Sequence, residues 1–142
     1  MPQGYHILKS LKIFLIILAC LTQIQTTALS KDPDSFLEVL YEQFNEVRES
    51  RGLKPLKRSR SLGIGSKLYA KKISLTGKFQ HAKWLNSNEC LAWSNERAQF
   101  DAIEVWLNSP GHRAIILDTE ISKVGIGFAR AKGGVYVVLR AK

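Results

Sequence analysis

The chain has 142 residues, 21 basic against 12 acidic side chains and a net charge of +9. That length gives room for one domain around one core. The basic excess invites a nucleic-acid reading, but no helix-turn-helix, zinc-finger or ribonucleoprotein signature accompanies it, so no nucleic-acid partner is expected.

Residues 1–30 read as a secretory signal peptide. Lys9 and Lys12 precede the apolar run from Ile13 to Leu21, and Ala28-Leu29-Ser30 offers a small-residue cleavage site. The run falls short of the roughly 20 residues a membrane span needs, so no stable span is expected once the leader is removed. An uncleaved anchor is the alternative, and it too leaves the domain outside the cytoplasm. The mature part, 31–142, loses only Lys9 and Lys12 among charged side chains and keeps a net charge of +7. Cys20 leaves with the leader, so Cys90 stays unpaired within the chain. The domain must then rest on its core rather than on disulfides. The apolar neighbours Leu91, Ala92 and Trp93 place Cys90 in that core.

Residues 31–35 read as a polar leader, and Ser35 with Glu38 forms a capping-box pattern. The helix that follows carries Phe36, Leu37, Leu40, Phe44 and Val47 as one stripe and ends at Gly52. Leu53 and Leu56 then anchor the loop, which Pro55 stiffens. Lys54, Lys57, Arg58 and Arg60 open a basic stretch that continues with Lys67, Lys71, Lys72 and Lys78. It reads as a solvated face, with attraction to an anionic surface as the functional alternative. A second helix spans 61–76 and stops at Gly77, with Leu62, Tyr69 and Ile73 on one face; Gly63 and Gly65 weaken its first turn. A strand over 88–93, a helix over 96–108 and a short helix from Pro110 to Leu117 come next. Ser109 is the expected N-cap of the short helix. The end is a hairpin: strands over 123–130 and 135–140 around Gly133-Gly134. The alternating glycines Gly125 and Gly127 point to close backbone packing. Trp93, Trp106, Tyr69 and Tyr136 read as core aromatics. Trp84 lies in the polar loop after His81, where an indole can meet a ligand or a membrane interface.

Three segments resemble the CAP superfamily (cysteine-rich secretory, antigen 5 and pathogenesis-related proteins). These are Asn45-x-x-Arg48 with Gly52-Leu53-x-Pro55-Leu56, Trp106-x-x-Ser109-Pro110-Gly111-His112, and Val124-Gly125-Ile126-Gly127. Asn88-Glu89-Cys90-Leu91-Ala92 is similar to the family's Gly-Glu-Asn strand, with Asn88 and Cys90 as departures. The resemblance implies an α+β fold, a three-layer α-β-α sandwich with a small, mainly antiparallel central sheet, in its compact disulfide-free form. It also implies a cleft containing His81, Glu89 and His112. The family's second acid falls at Ser109 here, so the set is partial.

Two imidazoles can share Zn2+ or another divalent cation, with a carboxylate nearby to orient water. His81 and His112 are the candidate ligands of such a loose site; Ser109 and Trp84 are candidate cleft neighbours. The resemblance implies a secreted protein acting by binding, with lipid, sterol, metal or a host surface as ligand. Two alternatives stand beside it: a metal-assisted extracellular hydrolase or peptidase, and a scaffold whose site has degenerated. Catalysis has little support, because no Gly-x-Ser-x-Gly elbow, His-Glu-x-x-His motif, P-loop or dinucleotide fingerprint is present. Ser109 with His112 and Glu89 can be drawn as a triad, but Ser109 is better explained as a cap. The apolar setting of Cys90 argues against a thiolate nucleophile.

Overall fold

The computed structural model describes residues 33–142 apart from 84, 96–99 and 132. The expected signal peptide and Trp84 lie outside the described residues. Helix α1 (Pro33–Glu49) is followed by a two-residue strand β1 (Lys57–Arg58) and helix α2 (Arg60–Thr76). Strand β2 (Asn88–Ser94), helices α3 (Ala102–Leu107) and α4 (Pro110–Ile116), and strands β3 (Lys123–Ala131) and β4 (Gly134–Ala141) complete it. The sheet order is β1-β3-β4-β2, with β1 parallel to β3 and the other pairs antiparallel. This is the expected α+β sandwich, with a small, mainly antiparallel sheet between helical layers.

Strand β4 shows how the layers are assigned. Its side chains alternate between faces, as strand geometry requires. Val135, Val137, Leu139 and Ala141 join Phe36, Leu40 and Phe44 of α1, Trp106 of α3 and Ile116 of α4 in the larger core. Tyr136 and Val138 point the other way, toward Tyr69, Ala70 and Ile73 of α2. Both faces are therefore covered, and residues of β2 follow the same alternation: Cys90 and Ala92 one way, Leu91 the other.

Several boundaries differ from the sequence reading. Helix α1 starts at Pro33, ahead of the expected Ser35 cap, because a proline in the first turn lacks only an N–H that has no helical partner there. Helix α3 starts at Ala102, later than expected. Asp101 caps it, its carboxylate accepting from the N–H groups of Ile103 (2.9 Å) and Glu104 (3.1 Å). Lys57 and Arg58 are exposed, as a solvated run should be, yet they form an edge strand, and Arg58 pairs with Glu38 over the Tyr41 ring. Trp93 is no core residue: it is 45% exposed and packs against Tyr136 at the surface.

The glycines of α2 have a different role from the one composition suggests. The helix is regular from Arg60, with Ser59 as its N-cap and left-handed Gly77 (φ 67°) as its C-cap. Gly63 lies where β3 comes closest. A Cβ on Gly125 would stand 2.2 Å from the Gly63 nitrogen, and one on Gly127 2.2 Å from the Lys67 nitrogen. The two strand glycines thus let α2 rest directly on β3 backbone, where the buried Ser66 hydroxyl donates to the Gly125 carbonyl at 2.9 Å. Gly127→Ala should therefore destabilise the fold by about 3 kcal/mol, since neither backbone can yield without moving a layer. Urea unfolding checks this; a loss under about 1 kcal/mol would mean the layers are not in that contact.

Candidate functional site

Strand β2 is the outer strand of the sheet, and the candidate site forms beside it. Glu89 projects to the α2 face of β2, opposite Arg140 in the neighbouring strand. Its side chain is only 4% exposed. Arg140 donates to Glu89 Oε2 from Nε (3.1 Å) and approaches it with Nη2 (3.0 Å). The other oxygen, Oε1, accepts from the Ala82 N–H at 2.9 Å and meets His81 Nδ1 at 3.1 Å. Burying a carboxylate costs several kcal/mol, which only a full set of charged and N–H partners offsets. Glu89 has that set. The loop from α2 back to the sheet is thereby tied down at His81. With Nδ1 held by the carboxylate, the His81 ring is oriented and its Nε2 is left for another partner.

His112 arrives from the opposite layer. It is in the first turn of α4, whose start is set by Pro110 after the extended Ser109. A buried arginine holds the end of α4. Arg48, which is 2% exposed, donates from Nη1 to the carbonyls of Ile116 (2.7 Å) and Asp118 (2.9 Å), and from Nε to that of Lys54 (2.9 Å). Asn45 Oδ1 accepts from the Leu56 N–H at 2.9 Å. These contacts give the Asn-x-x-Arg pair its physical meaning: it joins α1, the loop after it and the histidine helix.

The two imidazoles meet with ring centroids 5.7 Å apart and planes tilted by 57°. His81 is largely exposed, whereas His112 is half-buried and its Nδ1 is buried without a hydrogen-bond partner among the described residues. Burial pulls the His112 pKa below its ordinary value, and the neighbouring His81 adds to the effect. Both influences favour the neutral ring, the form that can ligate a cation. Cys90 is fully buried on the α4 face of β2, with Sγ 4.0 Å from the His112 carbonyl oxygen. Burial, assisted by the Glu89 charge, pushes its thiol pKa up to about 12. A thiolate nucleophile is therefore unavailable at neutral pH.

The structure thus brings His81, Glu89 and His112 together. Ser109 occupies the N-cap position, but its hydroxyl makes no capping hydrogen bond; only its carbonyl serves the helix, accepting from the Arg113 N–H at 2.8 Å. No hydrogen bond links Ser109 to the three cleft residues among the described residues. The triad drawing has no geometric support there. Arg140 is the residue that sequence reasoning missed. Its signal was a single charge in the otherwise apolar run from Val135 to Ala141, in a strand buried on both faces.

The donor set limits any metal. Glu89 already uses both oxygens, and no group of three His, Cys, Asp or Glu side chains is placed to hold an ion among the described residues. What remains is a pair of imidazoles, one pre-oriented and one with an orphan nitrogen. That fits a weakly held divalent cation completed by solvent, and does not fit a closed structural site or a three-ligand catalytic one. A separate apolar cavity of about 670 Å3 lies between the N-terminal halves of α1 and α2, with Leu37, Tyr41, Ile64 and Phe128 in its walls. It shares no residue with the histidine cleft.

A sequence-family model described as "Cysteine-rich secretory protein family" (CAP) matches residues 41–140. Among solved structures, an outer surface protein from Borrelia burgdorferi is similar with a TM-score of 0.66 and 21% identity, covering 82% of this chain and 98% of its own. An SCP-domain extracellular protein from Bacillus anthracis gives a TM-score of 0.64 at 17% identity, over 74% of this chain and 39% of that one. A cysteine-rich secretory protein from Staphylococcus aureus gives 0.56 at 24% identity, over 78% of this chain and 40% of that one. This chain thus spans well under half the length of the last two proteins. At these identities the likeness speaks for the fold. A search of curated proteins gives no match.

Two outcomes are expected of the cleft. Glu89→Gln removes the charge facing Arg140 and should cost about 2–3 kcal/mol in chemical unfolding, less than a fully buried pair would because Arg140 keeps some solvent. The pH dependence carries a definite sign. His112 binds a proton more readily unfolded than folded, so its contribution falls as pH drops below its ordinary pKa of 6.5, levelling off once the folded ring protonates. Unfolding wild type and His112→Gln across that range should show a steeper acid-side loss in wild type; parallel curves would contradict the burial of the ring.

Proposed function

We propose that this chain, which belongs to the cysteine-rich secretory protein (CAP) family, is an extracellular binding protein whose cleft at His81 and His112 takes a ligand without catalysing its turnover. The observation that carries the reading is the Glu89 clamp. A buried carboxylate holds His81 from below, while His112 faces it neutral from the other helical layer. This is pre-organisation for binding, with the polar groups oriented before the ligand arrives.

Several features support binding over catalysis. The acid of the cleft is fully engaged, the thiol beside it is protonated, and Ser109 is not joined to a base. A general base needs a free acceptor within hydrogen-bond reach of the proton it removes. Glu89 has none to spare, which leaves the imidazole nitrogens as the acceptors that a ligand group or a cation would meet. A divalent cation such as Zn2+ is the expected inorganic partner, held by His81 and His112 and supplying a positive charge that an anionic ligand group can meet. For lipid or sterol, the apolar cavity between α1 and α2 is the supporting feature, since about 670 Å3 is within the size range of small-molecule sites. Secretion is supported by the leader-like N-terminus and by the extracellular proteins that share the fold.

Zinc titration by calorimetry tests the cleft. Weak saturable binding is expected, with a dissociation constant on the order of 10 μM or weaker for so few ligands. His81→Ala and His112→Ala should each abolish it, while Lys83→Ala should leave it intact. Absence of heat and of any thermal shift in wild type would support the degenerate-scaffold alternative instead.

A further inference from the structure

Helix α2 is apolar on two opposite faces. Its inner face buries Ser66, Ala70 and Ile73 against the sheet. Its outer face exposes Ile64 (52%), Leu68 (64%) and Leu75 (75%), and Phe79 (49%) follows just beyond the helix. At 3.6 residues per turn, Ile64, Leu68 and Leu75 fall within about 40° of one another, directly across from the buried stripe. A surface helix of an ordinary globular domain puts polar residues there. Three of the seven large exposed hydrophobic residues among the described residues belong to this one strip, and a fourth, Phe79, follows the helix.

The charges of the helix itself all have one sign. Helix α2 carries Arg60, Lys67, Lys71 and Lys72 and no acidic residue, and Lys78 follows its cap. Lys67 and Lys71 border the strip on one side and Lys72 on the other. On the Lys67 side a hollow of about 420 Å3 opens, lined by Lys67, Lys71, Leu75, Phe128 and Arg130 among others. An apolar line with basic flanks is the pattern of a helix that lies in a membrane interface. The aliphatic side chains enter the acyl boundary, and the lysine stems reach outward to headgroup phosphates.

We infer that the outer face of α2, with Phe79, docks this protein onto the surface of an anionic membrane. The helix lies on the bilayer rather than through it, since no described helix is long and apolar enough to cross. Protein partners fit the surface less well. A second copy would present the same lysines and repel, and lysine is depleted in protein–protein interfaces. The docking face is distinct from the cleft and does not rest on the function proposed for it. The two are connected in the chain, because α2 leads through Gly77 and Phe79 directly to His81, and Tyr69 of α2 donates to the Gln80 carbonyl at 2.8 Å. Docking therefore brings the loop that carries His81 toward the lipid surface.

Co-sedimentation of the full chain with vesicles tests this. Vesicles of phosphatidylcholine alone are compared with phosphatidylcholine mixed with phosphatidylglycerol. Binding is expected only to the anionic vesicles and should weaken as salt rises. Leu68→Glu/Leu75→Glu and Lys67→Glu/Lys71→Glu should each bind at least about tenfold more weakly, whereas Val105→Glu, exposed on α3, should bind as wild type. All variants share the N-terminal apolar segment, so the differences report on α2, and matching thermal melts show that each variant folds. The inference is overturned if wild type ignores anionic vesicles, if it binds neutral ones equally, or if the α2 variants bind like wild type. It is also overturned if wild type runs as a dimer that Leu68→Glu/Leu75→Glu dissociates, which would make the strip a contact between copies.

Discussion

Both oxygens of the Glu89 carboxylate are committed, one to Arg140 and the other to the Ala82 N–H and His81. Much of the cleft depends on this. Among the described residues, the loop between α2 and β2 contains no regular structure of its own, and loops without packing drift. Its entry is fixed because a charge buried in the sheet demands partners, and the loop backbone supplies one. Moving Ala82 away would strand a buried carboxylate oxygen. The position of His81 is therefore set by the energetics of a different residue, one strand below it.

His112 is positioned by other means. No strong hydrogen bond holds its ring among the described residues. Its helix is held from behind, where the Arg48 guanidinium collects three carbonyls from two chain segments. A buried arginine bonded in this way is costly to rearrange, because each lost bond exposes a charge to a low-dielectric surround. The cleft thus has two walls with separate supports, Glu89–Arg140 on the α2 side and Arg48 on the α1 side. They meet beside the edge strand β2, where the His81 and His112 rings stand 5.7 Å apart. A site between rigid layers suits binding: its geometry exists before a ligand arrives, and its two imidazoles differ in burial.

The two faces of α2 show how one helix can serve structure and surface at once. The strand glycines Gly125 and Gly127 bring β3 directly against the backbone of α2, since a Cβ at either would run into it. Ser66, Ala70 and Ile73 fill the inner face of the helix, and Ile64, Leu68 and Leu75 stand outward. Nothing in the core accounts for their being aliphatic. A lysine or glutamate at each position would leave the inner contact unchanged.

The sequence alone determined the order of the main elements, the disulfide-free core with Cys90 in it and the hairpin, while its resemblance to the CAP family pointed to the trio His81, Glu89 and His112. These are readable because periodicity, caps and the spacing of a few distinctive residues are local properties of the chain. Helix starts were less legible: Asp101 and Pro33 override weaker signals by a few residues, since cap strength depends on where the backbone turns. Only the tertiary structure decided that Arg140 is the partner of Glu89, that Ser109 makes no side-chain cap, that Trp93 stands at the surface, and that Gly125 and Gly127 set β3 against the backbone of α2. Each of these depends on which strand lies beside which, and on what the opposite layer leaves room for. A residue's own neighbours in sequence carry no record of that.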